Sequence, residues 1–185
     1  MAAGNDNSFK SLGDNTQQND PLDFASSRLP TDNIVFVGGT NESDTRWATS
    51  TFVGSDVGNY IDLAAPAQDI FVADGTNGYA TASGTSFASP FAASAAAMVW
   101  SVNPTLTANQ VQNILFDTAN NPDRTSSTPA GPFWDQNYGW GRVDIGAAVD
   151  AAILLPGAII PEPASLLLLA AGSAGLLMRR KRNAH

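Results

Sequence analysis

Ser86 stands between a glycine and a long run of alanines, in the segment Gly84-Thr85-Ser86-Phe87-Ala88-Ser89-Pro90. From about Ser86 to Val102 the spacing predicts a helix, with Ala88, Ala92, Ala95, Ala96 and Val99 along one close-packed face. Side chains this small let a helix run deep against a sheet, which constrains the chain to strands and helices packed in layers. Pro90 is expected in the first turn, where no N–H is needed. The start of such a helix aims backbone N–H groups and partial positive charge at the serine, which favours a developing anion.

A serine hydroxyl attacks poorly unless a base takes its proton and donors hold the oxyanion it creates. A candidate donor is Asn5, in Ala2-Ala3-Gly4-Asn5-Asp6-Asn7. Read singly, Ser86 also fits a helix cap and Asn5 a turn residue. Taken with Ala64-Ala65-Pro66 and with Asn137-Tyr138-Gly139-Trp140-Gly141-Arg142-Val143-Asp144, in this order, the two segments resemble the subtilisin-like serine proteases (subtilases, peptidase family S8) over about residues 1–152. The resemblance implies a three-layer α/β fold with a mostly parallel sheet. It implies serine endopeptidase chemistry on protein or peptide substrates. Ser86 would be the nucleophile, Asn5 would supply an oxyanion-hole amide, and Gly84 and Thr85 would lie on the substrate-binding side, with Thr85 and Ser83 organising the backbone. Phe91, Ala67 and Phe87 depart from the family's usual residues at their positions, changes that bear on packing and substrate preference. Around Ser86 neither a Gly-x-Ser-x-Gly elbow nor a Ser-x-x-Lys motif is found.

The family's triad runs Asp, His, Ser, so the resemblance puts its first two members upstream of Asn5. The only histidine here is His185, at the far end of the chain. The expectation is therefore the C-terminal half of a peptidase domain, with the first strands missing, an apolar sheet edge exposed and the isolated chain inactive. The alternatives are a catalytically dead, surface-anchored binding protein and a truncated reading frame.

With no cysteine, neither disulfides nor thiolate zinc sites are available. All 17 acidic residues lie at or before Glu162, while the last four basic residues are Arg179, Arg180, Lys181 and Arg182. An acidic body of this kind lacks the clustered cations that nucleic acid requires. No cofactor is implied. Structural calcium is the one ion the resemblance allows for, although solvated loop charge accounts for the aspartates and no twelve-residue calcium loop is present.

Along the body, residues 5–31 read as surface loops. Ile34-Val35-Phe36-Val37 reads as a buried strand, Ile61 and Leu63 alternate with Asp62 in a second, and Ile70-Phe71-Val72 forms a third. Thr107 to Gln110 makes a capping box for a helix with Val111, Ile114 and Leu115 on its apolar stripe. Residues 120–136 read as an exposed loop, and Val143 to Ile153 as a final helix. A linker over 153–163 then carries Pro161-Glu162-Pro163.

Residues 164–178 are without charge, and the basic tail over 179–185 follows. A helix of that length spans roughly 22 Å, short of the roughly 30 Å hydrocarbon core, so it crosses a bilayer only with snorkelling and thinning. The basic end would stay cytoplasmic. The tail resembles the PEP-CTERM sorting signal of Gram-negative bacteria. That resemblance implies an extracytoplasmic or cell-surface protein, held in the membrane through its C-terminus until an exosortase processes it near the triplet. An ordinary C-terminal anchor is the alternative.

Overall fold

The computed structural model describes residues 1–5, 9–10, 34–53, 61–75, 77–123 and 133–159. Six strands are followed by three helices: β1 (Phe9–Lys10), β2 (Val37–Thr40), β3 (Phe52–Val53), β4 (Leu63–Pro66), β5 (Ile70–Ala73), β6 (Tyr79–Ala82), α1 (Thr85–Val102), α2 (Ala108–Thr118) and α3 (Ile145–Ile153).

The central pair is β2 and β4, parallel, with Val37 opposite Leu63 and Thr40 opposite Pro66. Residues 1–3 extend it on one side, where Ala3 N–H donates to the Val37 carbonyl at 3.0 Å and Val37 N–H to that of Met1 at 2.8 Å. On the other side Ala64 bridges Arg142 in parallel, and Arg142 bridges Asn120 antiparallel. The short β1 and β3 also pair in parallel, so among the described strands the β5–β6 hairpin alone runs against the expected sheet direction. Parallel strands need helices over them, and α1 supplies the cover. Ala88 and Ala92 pack on Val37, Ala65 and Ala67, while Ala95 and Val99 share a core with Leu63, with Val111, Ile114 and Leu115 of α2 and with Ala148 and Ala152 of α3. The opposite face carries Ala3, Phe36 and Ile61, flanked by Ile34 and Trp134.

Several elements differ from the sequence-based expectation. The apolar run Ile34–Val37 is not itself the strand. The Phe36 carbonyl accepts from both Asp62 N–H and Leu63 N–H, a bulge, and regular pairing starts only at Val37. Asp62 breaks the expected alternation because it is buried, accepting Phe36 N–H on Oδ2 at 2.7 Å. Pro90 lies in the second turn of α1 because the helix begins at Thr85; its missing N–H leaves the Ser86 carbonyl without the usual partner four residues on. In the loop over 120–136, the described residues are pinned down. Asn121 is buried and donates to the carbonyls of Phe133 and Gly139, and the Trp134 indole donates to that of Ile61 at 2.8 Å. Gly139, at φ +64°, passes so close to the backbone of Ile61 and Asp62 that no Cβ fits there.

The capping box forms as expected, with Thr107 and Gln110 exchanging side-chain and backbone bonds. The final helix begins at Ile145 behind an Asp144 cap. Among the described residues no helix is long and apolar enough to cross a membrane. The expected helix over 164–178, and most of the expected loop over 5–31, lie outside the described residues.

Candidate active site

The first residue of α1 needs a cap, and its N-cap Gly84 has no side chain to supply one. Asn5 supplies it from 80 residues away: its Oδ1 accepts the Thr85 N–H at 2.7 Å and the Thr85 hydroxyl at 2.8 Å. Thr85 Oγ1 in turn accepts Gly4 N–H at 3.1 Å, and Thr51 N–H donates to the Gly4 carbonyl at 3.0 Å. A backbone N–H can only donate, so the carboxamide oxygen must face Thr85, and Nδ2, the donor end, is turned to the opposite side.

Ser86 lies near the same carboxamide, across Gly84. A Cβ built on Gly84 would sit 3.1 Å from Ser86 Oγ, 3.4 Å from Asn5 Nδ2 and 3.8 Å from Asn5 Oδ1. Hydroxyl and amide thus border one gap, kept open by the absence of a side chain at position 84. Ser86 and Asn5 are both exposed, so a reactant can reach them. Ser86 is also the second residue of α1, whose first-turn N–H groups have no acceptor within the helix. No acidic residue occupies that turn to compete for them.

The approach to the site is fixed by two bonds across the base of the hairpin. Gly84 N–H donates to the Ala67 carbonyl at 2.7 Å, and Ser83 Oγ accepts Asp69 N–H at 2.9 Å. Ser83 therefore organises backbone, as expected. Thr85, expected on the substrate-binding side and as a backbone organiser, is fully buried, and its hydroxyl donates to the Asn5 carboxamide oxygen. This bond to Asn5 is the contact that sequence reasoning missed; the small polar residue between Gly84 and Ser86 was the available signal. His185 lies outside the described residues. Among the described residues no three His, Cys, Asp or Glu side chains gather as a metal-ligand set.

The model of the subtilase family matches residues 1–141. The chain belongs to the subtilase family. The PEP-CTERM protein-sorting motif matches residues 160–182. Subtilisin DY of Bacillus licheniformis is 37% identical over 90 residues, which make up 49% of this chain and 31% of that protein. The halolysin-like extracellular serine protease Nep of Natrialba magadii is 35% identical over 118 residues, 64% of this chain and 19% of that one. Among solved structures, the prenylagaramide maturation protease PagA superposes with a TM-score of 0.57 at 27% identity, over 80% of this chain and 48% of PagA. The subtilase thus spans less than a third of these curated relatives and under half of that solved structure, and its described body is part of the subtilisin-like α/β fold.

Proposed function

We propose that residues 1–152 form the nucleophile-bearing part of a serine endopeptidase. The observation that carries this reading is the position of Gly84, with Ser86 Oγ and Asn5 Nδ2 within 3.1 and 3.4 Å of where its Cβ would be. In that geometry Ser86 Oγ attacks the carbonyl carbon of a peptide, and its proton passes to a base that the family places upstream, on a histidine. The carbonyl oxygen becomes an oxyanion between Asn5 Nδ2 and the Ser86 N–H. Collapse expels the amine, to which the base returns that proton, and leaves an acyl group on Ser86, which water removes after giving its own proton to the same base. Protein substrates follow from the family. The sorting motif, together with the extracellular relative Nep, supports an extracytoplasmic or surface location. The apolar segment would hold the chain in the membrane before exosortase-type processing near Pro161-Glu162-Pro163.

Fluorophosphonate labelling tests the chemistry. The chain alone should not react. Joined to an upstream subtilase segment carrying the Asp and His regions, such as that of subtilisin DY, it should be modified at Ser86, and a Ser86→Ala variant should not. A folded joined protein that resists labelling would overturn the catalytic reading in favour of a binding scaffold. Labelling of the chain alone would refute the missing base.

A further inference from the structure

Large apolar side chains stand exposed just before the sorting motif. Leu154 is 84% exposed, Ile159 59% and Leu155 39%. Single exposed leucines are ordinary on a protein surface, but these three fall within six positions, and the strap that bears them is held to the body. Asn103, fully buried at the end of α1, donates from Nδ2 to the carbonyls of Ala152, Leu155 and Pro156, at 3.2, 3.4 and 3.2 Å. Its Oδ1 accepts the Thr105 hydroxyl at 2.7 Å, and Ile159 N–H donates to the Val102 carbonyl at 2.6 Å. The last described residue of the body is therefore fastened to the C-terminal end of the helix whose other end carries Ser86.

We propose that this end of the body is a lipid-facing surface: Leu154, Leu155 and Ile159 seat on the bilayer that takes the adjoining apolar segment, and Ser86 is thereby turned away from the membrane. The inference rests on the reading of that segment as membrane-held. Between Ile159 and Ala164 the chain spans at most about 18 Å even when fully extended, so the strap stays within that distance of the bilayer once the segment is in lipid. From α3 to Ile159 the sequence carries one acid, Asp150, and no basic residue. The strap itself thus offers apolar insertion, with Asp117 of α2 lining the same groove as Leu155, and a neutral bilayer is the fitting partner. Trp100, 40% exposed, sits two residues before Val102 with its indole N–H donated to the Leu106 carbonyl at 2.8 Å. An aromatic ring with its polar edge satisfied suits the membrane interface. Ser86 and Val102 are the second and last residues of α1, which at helical rise puts them about 24 Å apart. The chemistry therefore addresses the medium rather than the anchoring membrane.

The absence of native cysteine makes single-site labelling clean. Environment-sensitive fluorophores would be placed in the full chain at Leu154→Cys, Ile159→Cys, Tyr79→Cys and Leu168→Cys, each reconstituted with phosphatidylcholine vesicles. A severalfold intensity rise, with quenching by lipid-borne nitroxides, is expected at 154, 159 and 168 and not at 79. Lipid contact at 168 with 154 and 159 in water would overturn this surface while leaving the anchor intact. A label at 168 that stays in water would overturn the anchor and this inference with it. A rise at 154 that needs no vesicles and grows with protein concentration would assign the patch to a second copy of the chain, against the proposal. Quenching of the unsubstituted chain by brominated lipid, lost in Trp100→Phe, checks the same contact without a label, and no quenching would count against it.

Discussion

The two ends of α1 are each tied down by an asparagine, and the two asparagines are used in opposite ways. At the C-terminal end Asn103 is buried, its amide spent on three carbonyls and its oxygen on Thr105. At the N-terminal end Asn5 is exposed, its oxygen doubly bonded by Thr85 and its amide turned to the gap beside Ser86. A carboxamide with its bonds made contributes stability; one with its acceptor anchored and its donor unspent has, under the proposed reading, a donor left for an oxyanion.

The contrast breaks first on Asn5→Ala. In the enzyme completed with its upstream segment, this change should lower turnover by about a hundredfold to a thousandfold, a magnitude carried over from the same amide in subtilisin. The accompanying stability loss should be only about 1 kcal/mol, that of a missing cap. Asn103→Ala should invert the pattern. Stripping the shared donor from buried carbonyls should cost about 3 kcal/mol in urea unfolding, with labelling per folded molecule unchanged. Equal activity losses in both variants would erase the distinction.

Thr85→Val sharpens it, because the shape is kept and the orienting hydroxyl removed. About 1 kcal/mol of lost hydrogen bonding should appear as a several-fold fall in turnover as well as in the urea midpoint. A stability change alone would mean that Thr85 does not orient the carboxamide.

The smallest effect is one neither neutral carboxamide can produce. Burial pushes the Asp135 carboxyl up from its ordinary range, against hydrogen bonds from Asn121 and from the N–H groups of Asn137 and Tyr138 that pull it down. The folded state thus holds this proton more tightly than the unfolded chain. That contribution to stability is complete below the usual carboxylate value of about 4 and is lost as pH rises through the folded value. Urea midpoints measured from acid to neutral pH should fall less steeply in Asp135→Asn; an unchanged slope would assign the dependence elsewhere.

What the sequence disclosed was local. The alanine spacing of α1 and the Thr107–Gln110 box each carry their meaning within a few residues and are found in the structure, and the Gly-Thr-Ser and Ala-Gly-Asn segments carried the family resemblance. What stayed hidden depends on distant partners. Strand β6, Tyr79-Ala80-Thr81-Ala82, has no apolar alternation because three of its residues face solvent, and only its pairing with β5 defines it. Asp62 reads as a surface residue until Phe36 is seen to need an acceptor. Asn103 looks like a residue ending a helix, and only the three carbonyls brought to it from residues 152–156 reveal a clamp. Pro90 falls one turn later than the sequence suggests because α1, met by Asn5 at Thr85, begins one residue before the serine.

That borrowed cap bears on when the site comes together. The donor end of Asn5 and the hydroxyl of Ser86 share no local turn and meet only after the loop of 80 residues between Asn5 and Thr85 has closed. Closing a loop of that length is an entropic toll that only a finished core repays. A nascent chain therefore holds Asn5 and Ser86 apart, and under the proposed reading the oxyanion site forms only with the finished core.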